Sequence, residues 1–540
     1  MTEDLFVLPA SFGQQRLWLL EQIQPDTPLY NEAVGLRLRG SLDPDALAAA
    51  MTEVVERHEV LRTVLELEGA EVVQVVRAPE PVRLTVEDVD GGHDAALAEA
   101  RRLAETPFDL GRGPLIRCRL MRVAPEEHLF AVVVHHAVAD GWSLGVLLSE
   151  LTALYPPAVR GERLDVLPEL QVQYADFAAW QKQRWDEGEL DDQLAYWKDQ
   201  LTECEPLRLP VDRLPGGTPD YGTVHAPLAP PALMIRQLRA VASDGDVTPF
   251  MVVLAAYATV LARWTGQHDV VVGLPFAGRT QTELESLVGF FVNTLPVRLD
   301  LSGDPDFLSL LRQVRERCLG AYQRPDVPFE VLVDTLKPQR RPGRTPLTQT
   351  MLAVNNTWLP EALEAAGLRI EPLPLLQERA HFEVTVDLDG ADDALSGSVV
   401  LQSDLFAQET ADLLARSVVT VLRGASANPG AAVSQLPCPL ADRSPAVTAA
   451  PEAQESAQRE PRHREELGGR PTTRTEVLLS RLWAEVLDVE TVGVDDEFYA
   501  TGGNSLRAVR VVMRARELGV ELPVEKVLGE HTIRELAATV

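Results

Sequence analysis

Two periods of apolar residues run through the chain. The stretches "LFAVVVHH" (129–136), "DVVVGLP" (269–275) and "SGSVVLQ" (396–402) are short apolar runs that predict strands. The stretches "DPDALAAAMTEVVERHEVLR" (43–62) and "TPFMVVLAAYATVLARW" (248–264) repeat at helical spacing. The second contains the longest apolar run, which is too short to span a bilayer and predicts a buried helix. Beyond residue 474 the pattern is helical only. Leu478, Leu479, Leu482, Trp483 and Val486 follow Thr475, the expected N-cap; Leu506, Val509, Val512 and Met513 precede Gly519; and Thr532 with Glu535 forms a capping box for a last helix running to the terminus. Between Leu440 and Thr475 only Val447 and Leu467 are sizeable apolar residues, a composition that predicts a flexible linker. Pro and Gly concentrate again at 210–222, which suggests a boundary inside the large body. The expected organisation is an α/β (α+β) body of two subdomains, 1–180 and 181–438, a linker at 439–473, and a small helical bundle at 474–540.

Composition narrows the functional classes. Of 540 residues, 45% are hydrophobic and 24% charged, which excludes global disorder. The formal charge of -31 opposes binding to nucleic acid or to an anionic membrane surface. Cys118, Cys204, Cys318 and Cys438 are widely spaced with no CxxC pair, which argues against a disulfide framework or a thiolate zinc site. The N-terminus "MTEDLFVLPAS" is acidic and lacks the apolar core of a signal peptide, so a cytoplasmic location is expected.

The densest chemistry lies in "HHAVADG" (135–141). On a strand, His136 shares a face with Val132 and Val134 while His135 points the other way, so one histidine alone can enter a given cleft. A histidine at a strand end with Asp140 four residues on suits acid/base chemistry. No metal is expected, because the other histidines are scattered without ligand spacing. Gly141-Trp142-Ser143-Leu144-Gly145 matches the GxSxG of serine hydrolases, but Ser143 has a simpler expected role as the cap of a helix that Pro156 stops. In the small unit, "GGNSL" puts Ser505 at a helix N-terminus, an electropositive position suited to a phosphoryl group; the plainer reading is that Asn504 or Ser505 caps that helix.

With these residues in view, the body resembles a condensation domain of nonribosomal peptide synthetases and the tail a peptidyl carrier domain. The motifs are "SFGQQRLWLL" from Ser11, "RHEVLRT" from Arg57, "HHAVADGWS" from His135, "YADFAAW" from Tyr174, "VGFFVNTLPVR" from Val288, "PDVPFE" from Pro325, "GRTPL" from Gly343, and "DDEFYATGGNSL" from Asp495. The resemblance implies two chloramphenicol-acetyltransferase-like subdomains in a V around a tunnel, with a 4'-phosphopantetheine arm on Ser505. It also implies attack of an aminoacyl amine on that arm upon the acyl thioester of an upstream donor carrier. His136 would serve as base or as positioning group, Asp140 would turn inward to pair with Arg279, Gly141 would keep the tunnel open, and His135 would be structural. A phosphopantetheinyl transferase and a downstream synthetase or release enzyme are further implied partners. The motif wording is most like the subtype that joins L-configured substrates. Arg324-Pro325 stands where the family often has His-Gln, and Thr345 where many members have Asn. An adenylation domain is absent between body and carrier, so the arm would be charged by an adenylation enzyme in trans, or the chain is an excised or fused piece. Alternatives are an epimerase, though such domains normally follow their carrier, a catalytically degenerate scaffold that presents the carrier, and a serine hydrolase.

Overall fold

The computed structural model describes residues 6–69, 71–214, 221–242, 247–338, 345–355, 362–375, 379–390, 394–443, 469–487, 489–498, 501, 503, 505–522, 526–527 and 531–540. Most of the expected linker, and the Gly343-Arg344 pair of one motif, lie outside them.

Two six-stranded sheets organise the body. The first has the spatial order Leu363–Ala365, Leu368–Pro374, Asn31–Arg39, Glu127–His135, Ile116–Ala124 and Val86–Asp88. The second runs Asn293–Asp300, Asp269–Phe276, Thr350–Asn355, Val384–Asp389, Ser396–Gln402 and Thr223–Leu228. Glu127–His135 pairs on both sides, opposite Asn31–Arg39 and Ile116–Ala124, and is buried on both faces. Its period of two sorts the side chains: Leu129 and Ala131 pack with Ala96 and Ala100 of the helix Gly92–Ala104, while Phe130 joins the cluster of Val54 and Leu148 from the helices Pro44–Arg57 and Gly141–Val159.

In the second body the expected buried helix is Pro249–Thr265, capped by the Thr248 side chain and ended by Gly266 at φ 71°. Its polar Thr259 returns its hydroxyl to Ala255 O at 2.8 Å, which lets it sit in a fully apolar setting. Among the described residues no helix is long and apolar enough to cross a membrane.

Several local expectations change. The hairpin Leu363–Ala365 with Leu368–Pro374 lies in sequence within the second half, yet it completes the first sheet by pairing with Asn31–Arg39. Pro156 does not stop its helix, which continues through Pro157 to Val159. The cap of that helix is Asp140, not Ser143: the Asp140 carboxylate accepts from Ser143 N, which leaves the Ser143 hydroxyl for other partners.

In the small unit the helices are Arg474–Leu487, Ser505–Glu517 and Ile533–Ala537. The first is capped by Thr473, whose hydroxyl accepts from Glu476 N, so Thr475 lies inside it. The last has the expected Thr532 capping box but ends at Ala537. Trp483 meets Phe498 edge-on at 4.8 Å in the bundle core, and the Ser505–Glu517 helix lies alongside the body's first helix, Phe12–Ile23.

Candidate active site

The corner after Glu127–His135 separates the two histidines. His135 is sealed between Tyr30 and Phe108, and its Nδ1 accepts from Ala137 N at 3.0 Å. Burial, reinforced by neighbouring His136, pushes its imidazole down to about 3, so it stays neutral. His136 donates its backbone N–H to Tyr30 O at 2.7 Å, while its ring packs on Phe290 at 4.5 Å and retains 17% side-chain exposure. Nδ1 lies 2.8 Å from Ala139 O. A carbonyl only accepts, so Nδ1 carries the proton and Nε2 keeps its lone pair. Glu32 stands 3.9 Å from Nδ1.

Asp140 turns away from the cleft into a buried network. Its carboxylate receives Arg279 Nη1 at 2.8 Å and Nη2 at 3.0 Å, a two-pronged pair, and Phe291 N at 3.1 Å. Arg279 Nη2 also reaches Ser143 Oγ at 3.0 Å, and that hydroxyl accepts Gly289 N at 3.0 Å. The Ser143 side chain is fully buried, tied to Asp140 and Gly289, so the GxSxG match presents no nucleophile. A β-carbon at Gly141 would have no heavy atom within 4 Å, so the residue borders open space. The structure thus brings His135, His136, Asp140, Gly141 and Arg279 to one corner.

Motifs distant in sequence converge on the same place. Tyr174 OH bonds Ser11 Oγ at 2.8 Å and donates to Phe290 O at 2.8 Å, and Gly289 admits the Tyr174 ring where a β-carbon would stand 2.1 Å from it. His58 Nε2 meets Glu150 at 2.8 Å, and Arg57 shares that carboxylate. Between the bodies, Arg16 pairs with Glu330 at 3.1 Å, which holds its guanidinium charged despite burial. A cleft lies on the far side of Phe290 from this corner, lined by Ser11, Gly13, Phe177, Phe290, Phe291, Asn293 and Glu330 among others; the His136 ring is not part of its lining but packs on Phe290, which is. The departures sit nearby. Arg324 stacks over Tyr196 at 4.3 Å, Pro325 O receives Asn293 Nδ2 at 2.8 Å, and Thr345 Oγ1 donates to His381 O at 3.3 Å.

Sequence reasoning missed His381. Its ring lies 6.3 Å from that of His136 and 4.9 Å from that of Tyr30. A lone histidine ahead of a strand carries no local signal; only the long-range fold brings it here.

Ser505 opens its helix, and its side chain and Asn504 lie outside the described residues. Two residues before it, Gly503 packs closely: a β-carbon there would stand 2.3 Å from the Phe498 ring, so that position needs a glycine. A helix that begins at Ser505 fits a phosphodiester on that residue. Among the described residues no group of three His, Cys, Asp or Glu side chains could hold a metal ion.

The architecture is a two-bodied α/β fold with a part-exposed histidine at a strand-to-helix corner, followed by a helical bundle with Ser505 at a helix start. Residues 6–443 match the condensation domain model and 478–540 the phosphopantetheine attachment site model, and the chain belongs to the condensation domain family. It is 39% identical over 440 residues to a linear gramicidin synthase of Brevibacillus parabrevis, covering 80% of this chain and 8% of that protein. It is 40% identical over 446 residues to the isonitrile lipopeptide synthase of Mycobacterium tuberculosis, covering 79% of this chain and 18% of that one. The chain therefore spans under a fifth of the length of these relatives. The X-domain from teicoplanin biosynthesis superposes with a TM-score of 0.74 at 32% identity, over 79% of this chain and 97% of that one.

Proposed function

We propose that this chain forms an amide by joining an aminoacyl amine, carried on the phosphopantetheine arm of Ser505, to an acyl or peptidyl thioester brought by an upstream donor carrier. The observation that carries the reading is the His136 ring: with Nδ1–H committed to Ala139 O, the Nε2 lone pair is left to receive a proton in the cleft. The arm supplies a thiol that holds acyl groups as thioesters. His136 Nε2 accepts the proton that the attacking amine sheds and orients that amine, while the phenyl ring of Phe290 packs one side of the imidazole. Asp140, Arg279 and Ser143 hold the corner rigid, His135 fills the core behind it, and Gly141 leaves the approach open.

The position of the Ser505 helix beside Phe12–Ile23 supports delivery of the acceptor to this body. The wording of the motifs supports L-configured substrates, the carrier unit supports a phosphopantetheinyl transferase as modifying partner, the short stretch between body and carrier supports an adenylation enzyme acting in trans, and the widely spaced cysteines without a CxxC pair support a cytoplasmic setting. The test is single-turnover condensation followed by intact mass. Ser505 gains the arm in both parent and His136→Ala, whereas the lengthened product appears only in the parent. Full product from His136→Ala overturns the role of His136, and deuterium uptake at the α-carbon without amide replaces the reading with an epimerase.

A further inference from the structure

The gap between the bodies holds a second imidazole. His381 reaches it from the second body, half-buried, 6.3 Å ring to ring from His136 and 4.9 Å from Tyr30. Its backbone is pinned from three directions. Ala380 N donates to Tyr221 O at 2.9 Å, Gln402 Nε2 donates to Ala380 O at 3.1 Å, and Thr345 Oγ1 donates to His381 O at 3.3 Å. Residue 379 adds a tie to the other body, Arg379 Nη2 to Glu105 at 3.0 Å. The main chain at His381 is therefore fixed; Nδ1 of its half-buried ring is sealed and has no hydrogen-bond partner among the described residues, so Nε2 is the ring nitrogen left to meet a ligand.

We propose that His381 is a second imidazole of the reaction centre, donating a hydrogen bond from Nε2–H to the thioester carbonyl oxygen as that oxygen gains negative charge. The inference rests on the amide-forming reading. In the step, the C–N bond forms and the C–S bond breaks, and the amine proton passes through His136 Nε2 to the leaving sulfur. His381 gains and loses no proton. Burial, with His136 and Arg16 adding to it, pushes its imidazole down to about 3, so it is a neutral donor, the form best suited to polarise a carbonyl without competing for the amine proton. Its separation from His136 lets both rings touch neighbouring atoms of one reacting group.

The experiment uses the full chain, with Ser505 loaded by a phosphopantetheinyl transferase from an aminoacyl-coenzyme A, which releases 3',5'-ADP, and a separately loaded acyl carrier. His381→Ala is expected to keep the parent's melting temperature and Ser505 loading, to lower the single-turnover rate by roughly 10²-fold, and to leave the half-saturating donor concentration within about twofold. His381→Gln, which retains an N–H donor, is expected to recover at least about tenfold of that loss. A second readout needs no turnover: in chain labelled with ¹⁵N-histidine, the His381 ring resonances move on addition of acetyl N-acetylcysteamine thioester. Parent-like turnover in His381→Ala, a Gln variant no better than Ala, or unmoved His381 resonances each overturn the inference while leaving the amide-forming reading intact. A parent that yields no amide overturns that reading and the inference with it. Should His381→Ala unfold, the Gln variant and the resonance shift decide.

Discussion

The two bodies bring their imidazoles to within 6.3 Å of each other by different means. His136 follows a strand paired on both sides and precedes a helix capped by Asp140, so ladder hydrogen bonds and a buried ion pair fix it. His381 stands in a bend before Val384–Asp389, where Ala380 bonds Tyr221 and Gln402, Thr345 bonds the His381 carbonyl, and Arg379 forms a partly exposed ion pair with Glu105. A cooperative ladder spreads the loss of one bond over many neighbours, whereas a pinned bend concentrates it. Both groups are thus held in place, the first by redundant contacts and the second by a few whose individual loss is felt more.

The sharpest break in that contrast is His136→Ala, expected to cut condensation by about 10²–10⁴-fold in single-turnover assays while Ser505 still takes up the arm by mass. Next, Asp140→Ala strands the Arg279 guanidinium, whose side chain is 1% exposed, so a loss of about 3–5 kcal/mol is expected in denaturant unfolding. Ser143→Ala, by comparison, removes one hydroxyl from that network and should cost about 1–2 kcal/mol while sparing activity, the outcome opposite to that for a hydrolase nucleophile.

Acid should erode both bodies. His135 and His381 sit at about 3 in the fold against about 6.5 when unfolded, so the unfolded chain binds protons that the fold refuses. Stability from these residues is therefore complete above about pH 6.5 and falls by about 1.4 kcal/mol per pH unit per histidine down to about pH 3. His135→Gln should flatten that slope in pH-dependent melts, and an unchanged slope would sink the assignment. The smallest effect is expected at Arg379→Ala. Its pair with Glu105 is partly exposed, so about 0–1 kcal/mol is lost. A larger loss would place the bend under the same tight control as the histidine corner.

Periodicity made the interior elements legible. The apolar run at 129–134 is the central strand and 249–265 the buried helix, because burial on all sides leaves an uninterrupted apolar signature. The alternation that parts His135 from His136 follows from strand geometry alone. Local competition hid other features. Asp140 and Ser143 are both good caps three residues apart, and only the partners at Arg279 and Gly289 decide between them. Pro156 lies one turn from the helix end, and the helix continues through it to Val159. The pairing of Asp140 with Arg279, across 139 positions, entered through family likeness and not through spacing. His381 and the donated hairpin had no signal at all, since both depend on contacts made far along the chain.

That hairpin sets a limit on how the chain can be divided. Leu368–Pro374 covers the main-chain groups of Asn31–Arg39, and the outermost strand, Leu363–Ala365, is only three residues long. A fragment ending near residue 210 would carry all other strands of its sheet but leave Asn31–Arg39 as a long bare border, open to strand addition from another copy. The first half is thus sheltered from self-association by a segment that emerges from the ribosome some 150 residues after it, and a nascent or truncated form passes through a sticky stage that the finished chain never shows.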